Sequence, residues 1–157
     1  MVPIVILTGC GTTGGSFGGS NHPALLRRQE AIRQEPRGDY YIGRRYFVQG
    51  GRFWGYLRRP GEPWTKSKMI VINESRRRTP DRLPEAPKPG SPGHGMDHNT
   101  EYRISGYFSG DQVYEPNANL ILPEFVLTNY QVLNKKPGFL FHPHEKYHPR
   151  RLPKRDW

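Results

Sequence analysis

Strand-type alternation dominates the middle of the chain. Residues 40–48 (YYIGRRYFV) place Tyr40, Ile42, Arg44, Tyr46 and Val48 on one face. Tyr41, Arg45 and Phe47 fall on the other, because successive side chains of a strand point to opposite sides. Gln49-Gly50-Gly51 supplies a turn, and residues 52–59 return with Arg52, Trp54, Tyr56 and Arg58 on one face. Pro60-Gly61 marks a second turn, and residues 69–73 read as a third strand. Residues 102–108 and 112–114 predict a second hairpin around Ser109-Gly110-Asp111. Residues 120–122 and 125–133 supply the last strands, with Pro123 at an edge or corner between them. Gly43, Gly55 and Gly106 lie inside strands, where glycine marks bulges and tight bends. Strands this short and bent suit a small closed barrel of OB or SH3 type better than a flat sheet. The fold class expected is therefore mainly β.

Helical spacing is clear only over residues 21–35. Asn21 or His22 can cap the helix, Pro23 suits its first turn, and Leu25, Leu26 and Ile32 trace a narrow apolar stripe. Pro36 and Gly38 end it. Residues 75–100 carry Pro80, Pro84, Pro87, Pro89 and Pro92 with few apolar positions. They predict a long surface loop, the first target of limited proteolysis. Residues 134–157 read as an extended basic tail, with Phe139, Leu140, Phe141, Tyr147 and Trp157 as docking points. The expected division is a leader at 1–10, a tether at 11–20, one β-rich domain at 21–133 and the tail. A chain beginning near Asn21 is expected to fold as a monomer.

Composition narrows this picture. Only 34% of the 157 residues are hydrophobic, and Gly and Pro together number 18 and 16, so a large core is excluded. Aromatics at 12% argue against disorder throughout. No apolar run approaches the ~18 residues of a spanning helix. Charge is uneven: +9 over residues 1–80, −4 over 81–133 and +5 over 134–157. Arginine outnumbers lysine, and its planar fork suits phosphate and carboxylate. The expected partners are anionic surfaces: lipid headgroups, cell-envelope polymers or nucleic acid. The candidate contacts are Arg44, Arg45, Arg52, Arg58, Arg59, Arg76, Arg77 and Arg78. The plainer alternative is that the aromatics are core and the arginines flank them as a solvated face.

The first ten residues, MVPIVILTGC, run from an apolar stretch into Leu7-Thr8-Gly9-Cys10. This resembles the lipobox of bacterial lipoproteins: an aliphatic residue, two small or β-branched residues, then cysteine. The resemblance covers these ten residues alone. It implies a lipid-bearing Cys10 at the mature N-terminus, a membrane anchor and a cell-envelope location. Gly11 in the next position implies the periplasmic face of an outer membrane where the host has two membranes. Cys10 is the single cysteine, and GTTGGSFGGSN behind it has tether composition. The apolar stretch is shorter than a usual signal peptide and lacks a basic start, as a start codon assigned too late produces. An ordinary buried strand ending in cysteine is the alternative.

Candidate chemistry is sparse. Gly9-Cys10-Gly11-Thr12-Thr13-Gly14 matches a dinucleotide fingerprint in letters, but no helix pattern opens at Gly14 and no βαβ alternation follows. His94 and His98 flank Asp97, and His142, His144 and His148 flank Glu145. Imidazole and carboxylate can hold metal. Neither spacing puts ligands on one helix face, so His94, His98, His142 and His144 are weak candidates and no cofactor is expected. Asp111, Glu115 and Glu124 could pair across strands, but acids at strand ends are normally solvated. No catalytic residue is named and no enzyme is expected. Three readings stay open: a membrane-anchored envelope module for an anionic partner, a soluble nucleic-acid-binding barrel, and an uncharacterised enzyme. Export separates the first two.

Overall fold

The computed structural model describes residues 22–81 and 95–153. Cys10, the tether, His94 and Trp157 lie outside them. Helix α1 (Pro23–Arg33) starts at His22, whose Nδ1 accepts the Ala24 N–H at 3.2 Å, with proline in the first turn as expected. Its buried stripe is narrower than the pattern implied: Ile32 is buried, Leu25 is half-buried and Leu26 is exposed.

Five strands follow: β1 (Tyr41–Arg45), β2 (Gly55–Arg58), β3 (Lys68–Asn73), β4 (Glu101–Glu115) and β5 (Leu120–Asn134). They close into a barrel in the order β1-β2-β3-β5-β4. The β3–β5 pairing is parallel and the others are antiparallel. The molecule is thus a small bent-strand barrel of OB/SH3-like type with one helix ahead of it.

The expected second hairpin is corrected. Ser109-Gly110-Asp111 is not a chain reversal. It is an irregularity within β4, where the register slips between Phe108 and Gln112. The strand continues because Gln112, Val113, Tyr114 and Glu115 find partners in Pro123, Leu122, Ile121 and Leu120. The true reversal follows Glu115, whose carboxylate accepts the Asn117 N–H at 2.8 Å, and Asn119 takes the left-handed conformation (φ 49°). Pro123 does not split β5. It sits opposite Gln112 beside the slipped register, where a missing N–H is tolerated.

Two apolar layers share the barrel wall. The lumen holds Trp54, Leu57, Ile70, Tyr102, Ile104, Phe125 and Leu127, flanked by Tyr41, Ile72, Phe108 and Tyr130. All five strands contribute. The outer layer holds Ile42, Tyr46, Tyr56, Met69 and Leu122 from the other strand faces. Ile32 of α1, Trp64 of a 3-10 turn (Trp64–Lys66), and Leu140 and Phe141 of the tail cover it. Trp54 does not share a face with Tyr56 and Arg58, as simple alternation required. Gly55 (φ 159°) interrupts the alternation, turning Trp54 into the lumen. A Cβ there would overlap the Arg44 carbonyl oxygen.

The end of the long β3–β4 connection that leads into β4 is tied to the barrel. Arg45 N–H donates to the Thr100 carbonyl at 3.0 Å, and Asn99 N–H donates to the Arg45 carbonyl at 2.8 Å. The middle of that connection lies outside the described residues.

Candidate functional site

Three of the eight candidate arginines are not on the surface. Arg44 and Arg58 project from the outward rows of β1 and β2, which α1 and the tail cover. Arg44 is fully buried. It pairs with Glu101 at 2.8 Å and donates to Asn99 Oδ1 at 2.8 Å and to the Gly138 carbonyl at 3.1 Å. Arg58 grips Glu35 with both terminal nitrogens, at 2.5 and 2.6 Å. The two guanidinium groups lie over the Trp64 ring, at 5.1 and 4.5 Å from its centroid. Arg45 reaches Asp81 at 3.2 Å and Asp97 at 3.3 Å and donates to the Trp54 carbonyl at 2.5 Å. Burial lowers the Arg44 pKa, and the Glu101 charge opposes that shift. These arginines cross-link elements and cannot meet an external anion. A strand adjacent to a covered face buries its long side chains with its short ones, provided each charge finds a partner.

The other five are exposed or near the surface. Arg59 pairs with Asp39 at 3.2 Å and lies 3.9 Å from the Tyr41 ring centroid. Arg52 is exposed, while its backbone N–H donates to the buried Glu115 at 2.6 Å. Arg76, Arg77 and Arg78 are all exposed on a tight loop directly after β3. Glu74 closes that loop by accepting the Thr79 N–H at 2.6 Å and the Thr79 hydroxyl at 2.5 Å. Ser75 N–H donates to Asn73 Oδ1 at 2.9 Å, fixing the start of the turn. Arg77 stands over the Tyr130 ring at 5.5 Å. The composition of residues 75–100 places this triplet at the start of an irregular loop. The fold holds its base in a defined geometry.

The described histidines do not gather into one site. His98 Nδ1 accepts the Phe47 N–H at 3.1 Å, and its ring packs against Tyr147 at 3.8 Å and Tyr46 at 4.8 Å. Burial, reinforced by Arg45 and Arg44, lowers its pKa to about 4. His144 meets His22 edge-on at 5.6 Å, and His142 Nε2 is buried without a hydrogen-bond partner. Among the described residues no three potential ligands come together. Asp97, grouped with the histidines by sequence, accepts the Tyr102 hydroxyl at 2.8 Å and pairs with Arg45. Burial raises its pKa. Of the three acids considered for pairing, Glu115 is buried and latches the β4–β5 turn to Arg52.

Sequence reasoning missed the Arg45–Asp81–Asp97–Tyr102 network. Asp81 lies 36 residues from Arg45 along the chain, and no local pattern links them. Two shallow grooves of about 600 and 680 Å³ flank Leu152 on the outer layer. Their described linings include no carboxylate or histidine. No described helix is long and apolar enough to cross a membrane, which says nothing of strands. No family model matches the chain, and neither the curated proteins nor the solved structures searched contain a match.

Proposed function

We propose that the barrel is a non-catalytic binding module for an anionic cell-envelope partner, held at a membrane through lipid on Cys10. One observation carries the binding half: Arg76, Arg77 and Arg78 are exposed together on a loop whose base Glu74 and Thr79 close. Three cations held near one another meet a polyanion with less ordering entropy than three on a free chain. Arg52 and Arg59 supplement them. The anchorage half rests on Leu7-Thr8-Gly9-Cys10 alone.

The nucleic-acid reading draws on the barrel type, because OB-like barrels use an outer strand face and its flanking loops to bind oligonucleotides. Here the outer faces of β1, β2 and β3 are covered by Ile32, Trp64, Leu140 and Phe141. Bases have no open aromatic platform there to stack on. That favours the envelope partner.

The test is co-sedimentation with anionic vesicles and with isolated anionic cell-wall polymer, at low and high salt. Replacing Arg76, Arg77 and Arg78 by alanine is expected to cost up to about 3 kcal/mol of binding to at least one of these surfaces. Indifference of the wild type to every anionic surface, or equal binding by the triple variant, reduces the loop to a solvated face. For the anchor, an alkyne fatty acid fed to the native host is expected to mark the wild type and not Cys10→Ser. Equal marking of the two removes that half of the proposal.

A further inference from the structure

The described chain begins at His22, and three separate segments bring cations to that side of the domain. His22 packs edge-on against His144, and Lys146, two residues further, is exposed. Arg27 is exposed in the second turn of α1, next to Leu26, which is 51% exposed. Its neighbour Arg28 ties the third segment to the helix. It donates to the Pro137 carbonyl at 3.2 Å and lies 4.8 Å from the Phe139 ring centroid. Lys135 and Lys136, exposed just before Pro137, are thereby held beside α1. The Lys136 N–H donates to Asn134 Oδ1 at 2.9 Å and defines the turn out of β5.

The described carboxylates nearest these segments are engaged elsewhere, Glu101 beside Asn134 with Arg44 at 2.8 Å. Glu30 pairs with Arg33 at 3.1 Å. Glu145 turns inward to accept the Leu140 and Phe141 N–H groups at 2.7 and 3.3 Å. Eleven residues, 11–21, separate Cys10 from His22. Fully extended they span at most about 40 Å, roughly the diameter of a domain this size. That reach lets a chain anchored at Cys10 bring the His22 side to the bilayer, and the charge on that side, more than the tether, decides whether it stays there.

We infer that this face, built from Arg27, Lys135, Lys136 and Lys146 around the half-exposed Leu26, lies against an anionic phospholipid bilayer. The inference rests on the lipid anchorage proposed above. Two acyl chains hold a protein at a membrane without further help, so these cations set its orientation rather than its attachment. Basic side chains within a Debye length of an anionic leaflet are attracted to it, and the apolar Leu26 can enter the headgroup boundary beside them.

The test supplies the anchor chemically. The full chain has one cysteine, Cys10, which can be joined to a maleimide-bearing lipid in phosphatidylglycerol-containing vesicles. A water-soluble acetylating reagent then reports lysine exposure by mass spectrometry. Lys66 and Lys68 are exposed internal controls near the start of β3, whereas Lys135 and Lys136 follow the far end of the parallel-paired β5. Lys135, Lys136 and Lys146 are expected to react about fivefold more slowly than Lys66 and Lys68 on anionic vesicles, and equally fast on neutral ones. Uniform labelling, slower labelling of Lys66 and Lys68, or the same pattern on neutral lipid overturns the inference.

A second arm uses the full chain as Cys10→Ser without an anchor. Changing Lys135, Lys136 and Lys146 to glutamine is expected to lower partition onto phosphatidylglycerol vesicles about 100-fold at low salt, with an unchanged melting curve. Unchanged partition overturns the inference. Because the maleimide replaces native lipidation, the labelling pattern stands or falls independently of whether Cys10 is modified in the host.

Discussion

Arg58 shows how a charge comes to be buried at the residue scale. Its guanidinium gives up water for a two-pronged contact with Glu35 and a face of Trp64, so removing it deprives a half-buried carboxylate of its cation and leaves it the Gly61 N–H at 2.8 Å. Arg58→Met is expected to destabilise by about 1–3 kcal/mol in denaturant unfolding, the cost of leaving the half-buried Glu35 carboxylate short of its charged partner. Glu35→Gln added to Arg58→Met is expected to recover part of that loss. No recovery would mean that the aliphatic stem, and not the ion pair, supports the site. His98 sets a pH dependence of definite sign. It titrates near 6.5 when unfolded and at about 4 in the fold, where burial disfavours its cation. Between those values the unfolded chain binds the extra proton, so stability is full above pH 6.5 and declines as pH falls toward 4. At about 1.4 kcal/mol per pKa unit the loss reaches at most about 3 kcal/mol, and solvent reaching the half-buried ring reduces it. Asp97 acts the other way, since its raised pKa relieves a buried charge as acid is added. Comparing stability against pH for the wild type and His98→Gln isolates the histidine. Identical slopes from pH 7 to 4 would remove it as the cause.

At the element scale, β2 depends on one backbone position. Gly55 combines a positive φ with a neighbour where a side chain must go, the Arg44 carbonyl of the paired strand. Gly110 also has a positive φ, at 94°, but open space around it. Gly110→Ala is expected to cost about 1–2 kcal/mol, from the backbone alone. Gly55→Ala adds the overlap and should exceed it by a further 1–3 kcal/mol. Thermal melting of the two variants measures the difference, and equal values would show that β1 and β2 can separate there without penalty. The β4–β5 ribbon teaches a related lesson. Ser109-Gly110-Asp111 has turn composition, yet it becomes a bulge because the residues beyond it pair with residues 120–123 of β5. Turn-forming residues permit a reversal; the strand partners on either side decide whether one occurs.

For the whole molecule, the tail is a structural layer. Leu140 and Phe141 are buried against Tyr56, Met69 and Ile32, and the Gly138 carbonyl takes a hydrogen bond from Arg44. Phe141 meets Tyr56 edge-on at 5.2 Å between ring centroids. Phe141→Ala is expected to cost about 3–5 kcal/mol in denaturant unfolding, as for a core phenylalanine. A loss below 1 kcal/mol would make the tail a removable cover, and the outer face of the barrel would again be a candidate nucleic-acid surface. Covering that face doubles the use of the sheet. A chain poor in apolar residues builds two thin layers on opposite faces of one wall instead of one thick core.

Much of this was determined locally. Alternation over residues 40–48 placed Ile42, Arg44 and Tyr46 on one side, and they do line one layer together with the flanking Tyr40 and Val48. Pro23 and His22 marked where α1 begins, and bent strands with internal glycines implied closure into a small barrel. Period-two alternation and capping involve neighbours in the chain, so they are written in the order of residues. What covers a sheet face is not. Alternation shows that Arg44 and Tyr56 each lie on a particular face, but only the arrival of α1 and residues 138–141 determines that the face is interior. The same holds for Arg45, whose partners Asp81 and Asp97 come from the distant β3–β4 connection. An arginine is a surface cation or an internal cross-link according to which remote carboxylate reaches it, and that proximity exists only once the barrel has closed.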